Sequence, residues 1–171
     1  MFQFLEKFNP QPVLKAQAFT SDTTVIQSAY SKLDNAHWLT YVVPLGDFGT
    51  TAATDTLTLT VECSTAGASN ATEVQVPFRY RISGVPTANT LGAITAASAS
   101  VGFTVTGALA AQNGAIAFIE IDPAEALAAH AQADAKFVRL VITASTNGSG
   151  LFSAHAVIAP RYPGNTHISA T

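Results

Sequence analysis

The stretch Phe137–Pro163, FVRLVITASTNGSGLFSAHAVIAPRYP, most restricts what this chain can fold into. Phe137–Ala144 is rich in Val, Ile and Leu, which suit a pleated, half-buried surface. Thr146-Asn147-Gly148-Ser149-Gly150 offers a turn, because Asn and Gly accept positive φ at little cost. Phe152–Ala159 is a second apolar strand, and Pro160 and Pro163 end pairing because proline donates no ladder hydrogen bond. The pattern predicts a β-hairpin. Val138, Leu140 and Ile142 form one apolar face, so the hairpin needs a second layer from elsewhere in the chain.

The rest of the sequence repeats the same period of two. Thr56–Ser64 alternates most clearly, with Leu57, Leu59, Val61 and Cys63 against Thr56, Thr58, Thr60 and Glu62. Val74–Ile82 alternates likewise, and Pro77 on its outer face predicts an edge strand. Ala36–Leu45 is apolar on both faces, which predicts a central or doubly covered strand. Shorter strands are expected around Thr24-Val25-Ile26, at Val101–Thr106 and, after a turn at Asn113-Gly114, at Ala115–Ile121. Asp34-Asn35 reads as a turn and Ser83–Ser100 as a long loop of Ala, Thr and Gly. One helix is expected, capped by Asp122, with Pro123 in its first turn and Glu125 as a capping-box acid, running to about Gln132. About eight strands without βαβ alternation predict an antiparallel β-sandwich, a jelly roll. An immunoglobulin-like sandwich is the alternative, but its Cys…Trp…Cys signature is missing.

The predicted organisation is an N-terminal arm over residues 1–17 and a single sandwich domain over 18–171. Phe2, Phe4, Leu5 and Phe8 are too many aromatics and aliphatics for a free tail. They either cap the domain's own core or dock on a neighbouring subunit. Asn9-Pro10-Gln11-Pro12 breaks any helix behind them.

Charge narrows the function classes. Only 11% of the 171 residues are charged, and the net charge is −3; a soluble domain usually has about twice that share. No Lys/Arg cluster is available to neutralise phosphates, which argues against nucleic acid as a partner. No apolar run is long enough to span a bilayer as a helix, and the N-terminus lacks the features of a secretory signal. The expected site of synthesis is therefore a cytoplasm. The single cysteine, Cys63, precludes an intramolecular disulfide framework and reads as a small buried hydrophobe.

No catalytic, cofactor-binding or metal motif stands out: there is no Gly-rich phosphate loop, GxSxG, HExxH or CxxC. His130 and Asp134 are four apart and could share a helix face as ligands, but a solvated face so near the helix end accounts for them better. His155 alternates with Val157 and is expected to face the core or a subunit contact. Trp38, Tyr41, Tyr80 and Tyr162 are candidates for a sugar-stacking platform, but core packing accounts better for Trp38. Arg79 and Arg81 stand out in so uncharged a chain. They serve either to protect an edge strand from pairing or to contact an acidic partner.

Ala18–Ser31 leading into AHWLTYVVPLGDF, together with FVRLVITASTNGSGLFSAHAVIAPRYP, resembles small phage virion proteins of the capsid decoration, or cement, type. The resemblance spans about half of the chain. It implies a jelly-roll-like sandwich, a homotrimer at three-fold or quasi-three-fold positions on the capsid exterior, and the major capsid protein of the same phage as partner. It further implies stabilisation of the shell against internal DNA pressure, with interface candidates Phe2, Phe4, Leu5, Phe8, Arg79 and Arg81. Other readings are a neck, tail or fibre-base protein, a carbohydrate-binding module and, ranked low for want of a basic arm, an RNA-virus coat. An enzyme is the least expected class.

Overall fold

In the computed structural model, residues 8–19, 24–48, 56–68, 73–84, 90–106, 112–131, 135–145 and 150–161 are described. Among them the chain forms β1 (Asn9–Phe19), β2 (Thr24–Gln27), β3 (Ser31–Lys32), β4 (Ala36–Phe48), β5 (Thr56–Ser64), β6 (Val74–Val76) and β7 (Phe78–Ile82). There follow β8 (Thr95–Ala97), β9 (Phe103–Thr106), β10 (Ile116–Ile121), the helix α1 (Pro123–His130), β11 (Phe137–Ser145) and β12 (Gly150–Pro160).

The strands build two antiparallel sheets. The first has the order β1-β12-β4-β10-β7-β8; the second has β2-β11-β5-β6, with β3 also beside β11 and β9 beside β5. The pairings are nested: β1 with β12, β2 with β11, β4 with β10 and β5 with β9. This is the pattern of one long hairpin rolled up into a jelly roll. β6, β7 and β8 are an excursion at its tip.

The alternation in sequence becomes the inner faces. Leu39, Tyr41 and Val43 from β4, Leu57, Leu59, Val61 and Cys63 from β5, and Ala117, Ile119 and Ile121 from β10 are all fully buried. Val138, Leu140, Ile142 and Ala144 from β11 meet Phe152, Ala154, Ala156 and Ile158 from β12 in the same core. The many alanines thus serve as thin core positions that let the sheets approach. Tyr41 also links the layers, its hydroxyl donating to the Val138 carbonyl at 3.0 Å.

Several expectations need correction. β11 and β12 are strands, but they do not pair with each other. β11 lies in the second sheet and β12 in the first, so the segment is an arch rather than a hairpin. Each strand supplies the covering layer for the other, because both turn an apolar face inward. The stretch Val74–Ile82 is likewise not one edge strand. It breaks at Pro77, where the missing N–H ends the β5–β6 ladder and the chain crosses to the first sheet as β7. β7 is then covered at its outer side by β8, a strand inside the expected loop 83–100. Residues 9–17 of the expected arm belong to β1, an edge strand of the first sheet, where the prolines Pro10 and Pro12 are tolerated. Phe8 is half-buried. Phe2, Phe4 and Leu5 lie outside the described residues.

The helix begins as expected. Asp122 accepts a hydrogen bond from the Ala124 N–H at 2.8 Å and Pro123 occupies the first turn. It ends at His130, followed by Ala131 at φ 58, short of Gln132. His130 is buried rather than on a solvated face, and Asp134 lies outside the described residues.

Gly102 sits at φ +66, and a Cβ there would lie 2.6 Å from the Leu59 carbonyl oxygen and 2.6 Å from Thr60 Cγ2. Gly102→Ala therefore combines left-handed strain with a clash against strand backbone. It is expected to destabilise the fold by about 1–3 kcal/mol, read as a lower urea midpoint with an unchanged slope.

Candidate interaction surface

The inward side chains of β7 fix where its arginines go. Phe78 is buried, and Tyr80 stacks on Phe103 with ring centroids 4.0 Å apart. By the period of two, Arg79 and Arg81 project from the outer face of the first sheet. Arg79 stands between Glu120 of β10 and Ala96 of β8. Its Nη2 reaches Glu125 Oε1 in the first turn of α1 at 3.5 Å, with both side chains about half exposed, a pair that contributes little to stability. Arg81 lies beside Phe118, its guanidinium carbon 5.6 Å from the ring centroid, a cation–π contact. Among the described residues no carboxylate forms an ion pair with Arg81.

The register extends this face across the sheet. Phe118 pairs with Val42, and Val42 with His155; Glu120 pairs with Thr40, and Thr40 with Val157. Phe118, Val42, Thr40 and Val157 are half-buried and His155 is exposed, so His155 faces outward and not toward the core. Trp38 is on this outer face too, half-buried, and not in the core as expected. β4 is central within its sheet, as its two apolar faces suggested, but of those two faces it is that of Leu39, Tyr41, Val43 and Leu45 that is buried in the core, with Ala36 and Phe48 at the strand's ends. Of the four stacking candidates, Tyr41 is core, Tyr80 is engaged with Phe103 and Tyr162 lies outside the described residues. Among the described residues, Trp38, Tyr41 and Tyr80 do not form one platform. What the structure does present is a broad outer face of Trp, Phe, Val and Arg with few charges.

The second sheet carries a charged cluster that sequence reasoning missed. Arg139 of β11 is opposite Glu62 of β5 and has only 3% of its side chain exposed. Its Nε and Nη2 each lie 2.8 Å from Glu62 Oε2, and Nη2 lies 2.8 Å from Glu73 Oε2. Its guanidinium carbon is 5.0 Å from the centre of the Tyr30 ring, and the Tyr30 hydroxyl donates to Glu73 Oε1. Burial, helped by that hydrogen bond, pushes the Tyr30 hydroxyl up to about 12. One guanidinium holds both carboxylates as acceptors, so the cluster acts as a clasp on Tyr30, β5, β11 and the entry to β6. It leaves no acid–base pair poised for proton transfer. The available signal was an arginine inside FVRLVI and a glutamate inside TLTLTVECS, but only their register joins them.

Cys63 is fully buried, and burial pushes its thiol up to about 11, which keeps it protonated and unreactive at neutral pH. Among the described residues no three His, Cys, Asp or Glu side chains converge as metal ligands, and no helix is long and apolar enough to cross a membrane.

No protein-family model matches the chain, and no curated protein matches it in sequence. Among solved structures, the chain is similar to a Clostridium thermocellum endo-1,4-β-D-xylanase 10B structure of CBM22-1 and GH10 modules with xylohexaose, at 13% identity and a TM-score of 0.33. That match covers 97% of this chain and 28% of the xylanase chain. Infectious bursal disease virus, Gt strain, is similar at 11% identity and a TM-score of 0.27, covering 96% of this chain and 44% of that one. The chain spans under half the length of either. Overlaps this weak say nothing of kinship or function.

Two outcomes follow from the buried polar groups. Arg139→Met leaves two carboxylates facing each other without their cation and is expected to cost about 3 kcal/mol, against about 1 kcal/mol for Glu73→Gln, by urea denaturation. The raised Cys63 and Tyr30 groups stay protonated in the fold while the unfolded chain ionises from its ordinary values of 9.0 and 10.0 upward. Stability is thus full below pH 9 and falls as pH climbs through about 11 and 12. A melting temperature flat across that window would contradict the burial of these groups.

Proposed function

We propose that the chain is a non-enzymatic structural subunit of a virion, a capsid decoration protein that binds the exterior of a phage shell as a homotrimer and stabilises it. The major capsid protein of the same phage is the partner, and neither nucleic acid nor membrane is. The observation that carries this reading is the outer face of the first sheet, where Arg81 lies on Phe118 beside Val42, Val157 and Trp38. Aromatic residues and arginine enriched over lysine and acids are the composition of protein–protein contact cores. A face of this kind, on a chain that is only 11% charged, suits being covered. Phe2, Phe4, Leu5 and Phe8 add an apolar N-terminal segment for the same contact. Many copies on one shell would convert weak single contacts into durable attachment.

A neck or fibre-base role uses the same surface and differs in ring number. A carbohydrate-binding module is the second reading, favoured by the outward Trp38 alone; retention on immobilised glycans that is lost in Trp38→Ala would support it over the first.

The test is co-sedimentation with purified empty shells. Wild-type protein is expected to bind, and Arg81→Glu to weaken binding by about tenfold or more with little change in melting temperature. Wild-type protein that ignores shells would rule the reading out.

A further inference from the structure

The two arginines of β7 share one face of the first sheet but differ in their surroundings. Arg79 has acids close by: it is opposite Glu120 of β10, and its Nη2 reaches Glu125 Oε1 at 3.5 Å. Arg81, two residues on, has apolar neighbours instead. Across the ladder stands Phe118, which lies under its guanidinium, and beyond Phe118 comes Val42. On the other flank runs β8, and no charged residue occurs anywhere between Arg81 and Glu120. Ala96 of β8 is opposite Arg79, so Ile94, two residues before it, lies on the same outer side and is 58% exposed. Arg81 is therefore a single cation in an apolar strip. Its Nε is shut off from solvent and meets no acceptor among the described residues. Its terminal nitrogens make no hydrogen bond or ion pair there either.

A surface that covers this strip has to answer the charge. Under a purely apolar cover the guanidinium would lose its water and gain nothing, and an unpaired buried charge strongly opposes association. This chain supplies no counter-charge at the spot, since Glu125 reaches Arg79 and Glu120 stands opposite it. We infer that the partner on this face sets a carboxylate of its own, from Asp or Glu, against Arg81. The inference rests on the virion reading, in which that partner is a capsid protein, and adds the chemistry its surface needs: apolar, with an acid at the centre. Because Nε is covered, the carboxylate docks end-on, its two oxygens accepting from the two terminal nitrogens of the guanidinium. That planar fork matches both oxygens of a carboxylate, which an ammonium on a flexible stem does not. Phe118 holds the guanidinium in place before contact, so little side-chain freedom is lost on binding.

The test takes Arg81→Gln and Arg81→Lys into co-sedimentation with purified empty shells, native or with their carboxylates converted to neutral amides by carbodiimide and ethanolamine. On native shells, wild-type binding is expected to weaken as salt rises. Arg81→Gln is expected to bind about tenfold more weakly or worse and to lose most of that salt response, with Arg81→Lys between the two. An unchanged melting temperature shows that the fold is kept. On amidated shells, wild type is expected to fall to the level of Arg81→Gln, and Arg81→Gln to bind as it does on native shells. Wild type that binds native shells no better than Arg81→Gln overturns the inference alone. So does wild type that keeps its advantage on amidated shells, or a loss there shared equally by both proteins. Arg81→Lys that matches wild type overturns the two-pronged contact. A mass that drops in Arg81→Gln without shells, by sedimentation equilibrium, would place the carboxylate on a second copy of this chain and overturns it too. Wild type that ignores shells altogether overturns the virion reading, and this inference with it.

Discussion

Two apolar faces pressed together, one per sheet, carry this structure. Leu39, Tyr41 and Val43 of β4 and Phe152, Ala154, Ala156 and Ile158 of β12 are useful only because β5 and β11 lie opposite them. Neither sheet buries its inner face alone. The chain therefore crosses between layers repeatedly, at Pro77 and again between β8 and β9, between β10 and β11, and between β11 and β12. Alanine at positions such as Ala117, Ala154 and Ala156 thins the core, and the Tyr41 hydroxyl adds a polar tie across it to Val138.

Outside that core the two sheets are treated differently. On the second, Arg139 gathers Glu62, Glu73 and Tyr30 into a closed polar group, satisfied from within. On the first, Arg81 rests on Phe118 among valines and Trp38, and its charge is not matched by an ion pair among the described residues. A self-satisfied cluster specifies a fold; an aromatic–arginine face with spare hydrogen-bonding capacity specifies a contact. The functional proposal follows from that asymmetry rather than from any constellation of reactive groups.

Much of the architecture was legible in the sequence. Period-two alternation located β5 and β11 with the residues that face inward, the strands β10 and β12 were located without their inward faces, and the Asp122–Pro123 pair located the helix start. Pairing was not legible for Phe137–Pro160. Alternation records which face of a strand is apolar, and that face looks the same whether the next strand lies beside it or opposite it. Pro77 was misread for a related reason, since an edge and a corner both dispense with an N–H. Trp38 was placed in the core because burial by a second sheet and half-burial on a broad outer face leave the same apolar residues. The Arg139 clasp needed the register of strands far apart in sequence, which no local pattern contains.

The nesting of first strand with last has a consequence for synthesis. β1 leaves the ribosome before every other strand described, and its partner β12 leaves last of them, so the outermost ladder of the first sheet cannot close until all the strands between have emerged. Distant pairings of this kind make folding slow. During that wait β1 is a lone strand among other nascent chains, and Pro10 and Pro12 withhold two of the N–H groups through which it could be captured.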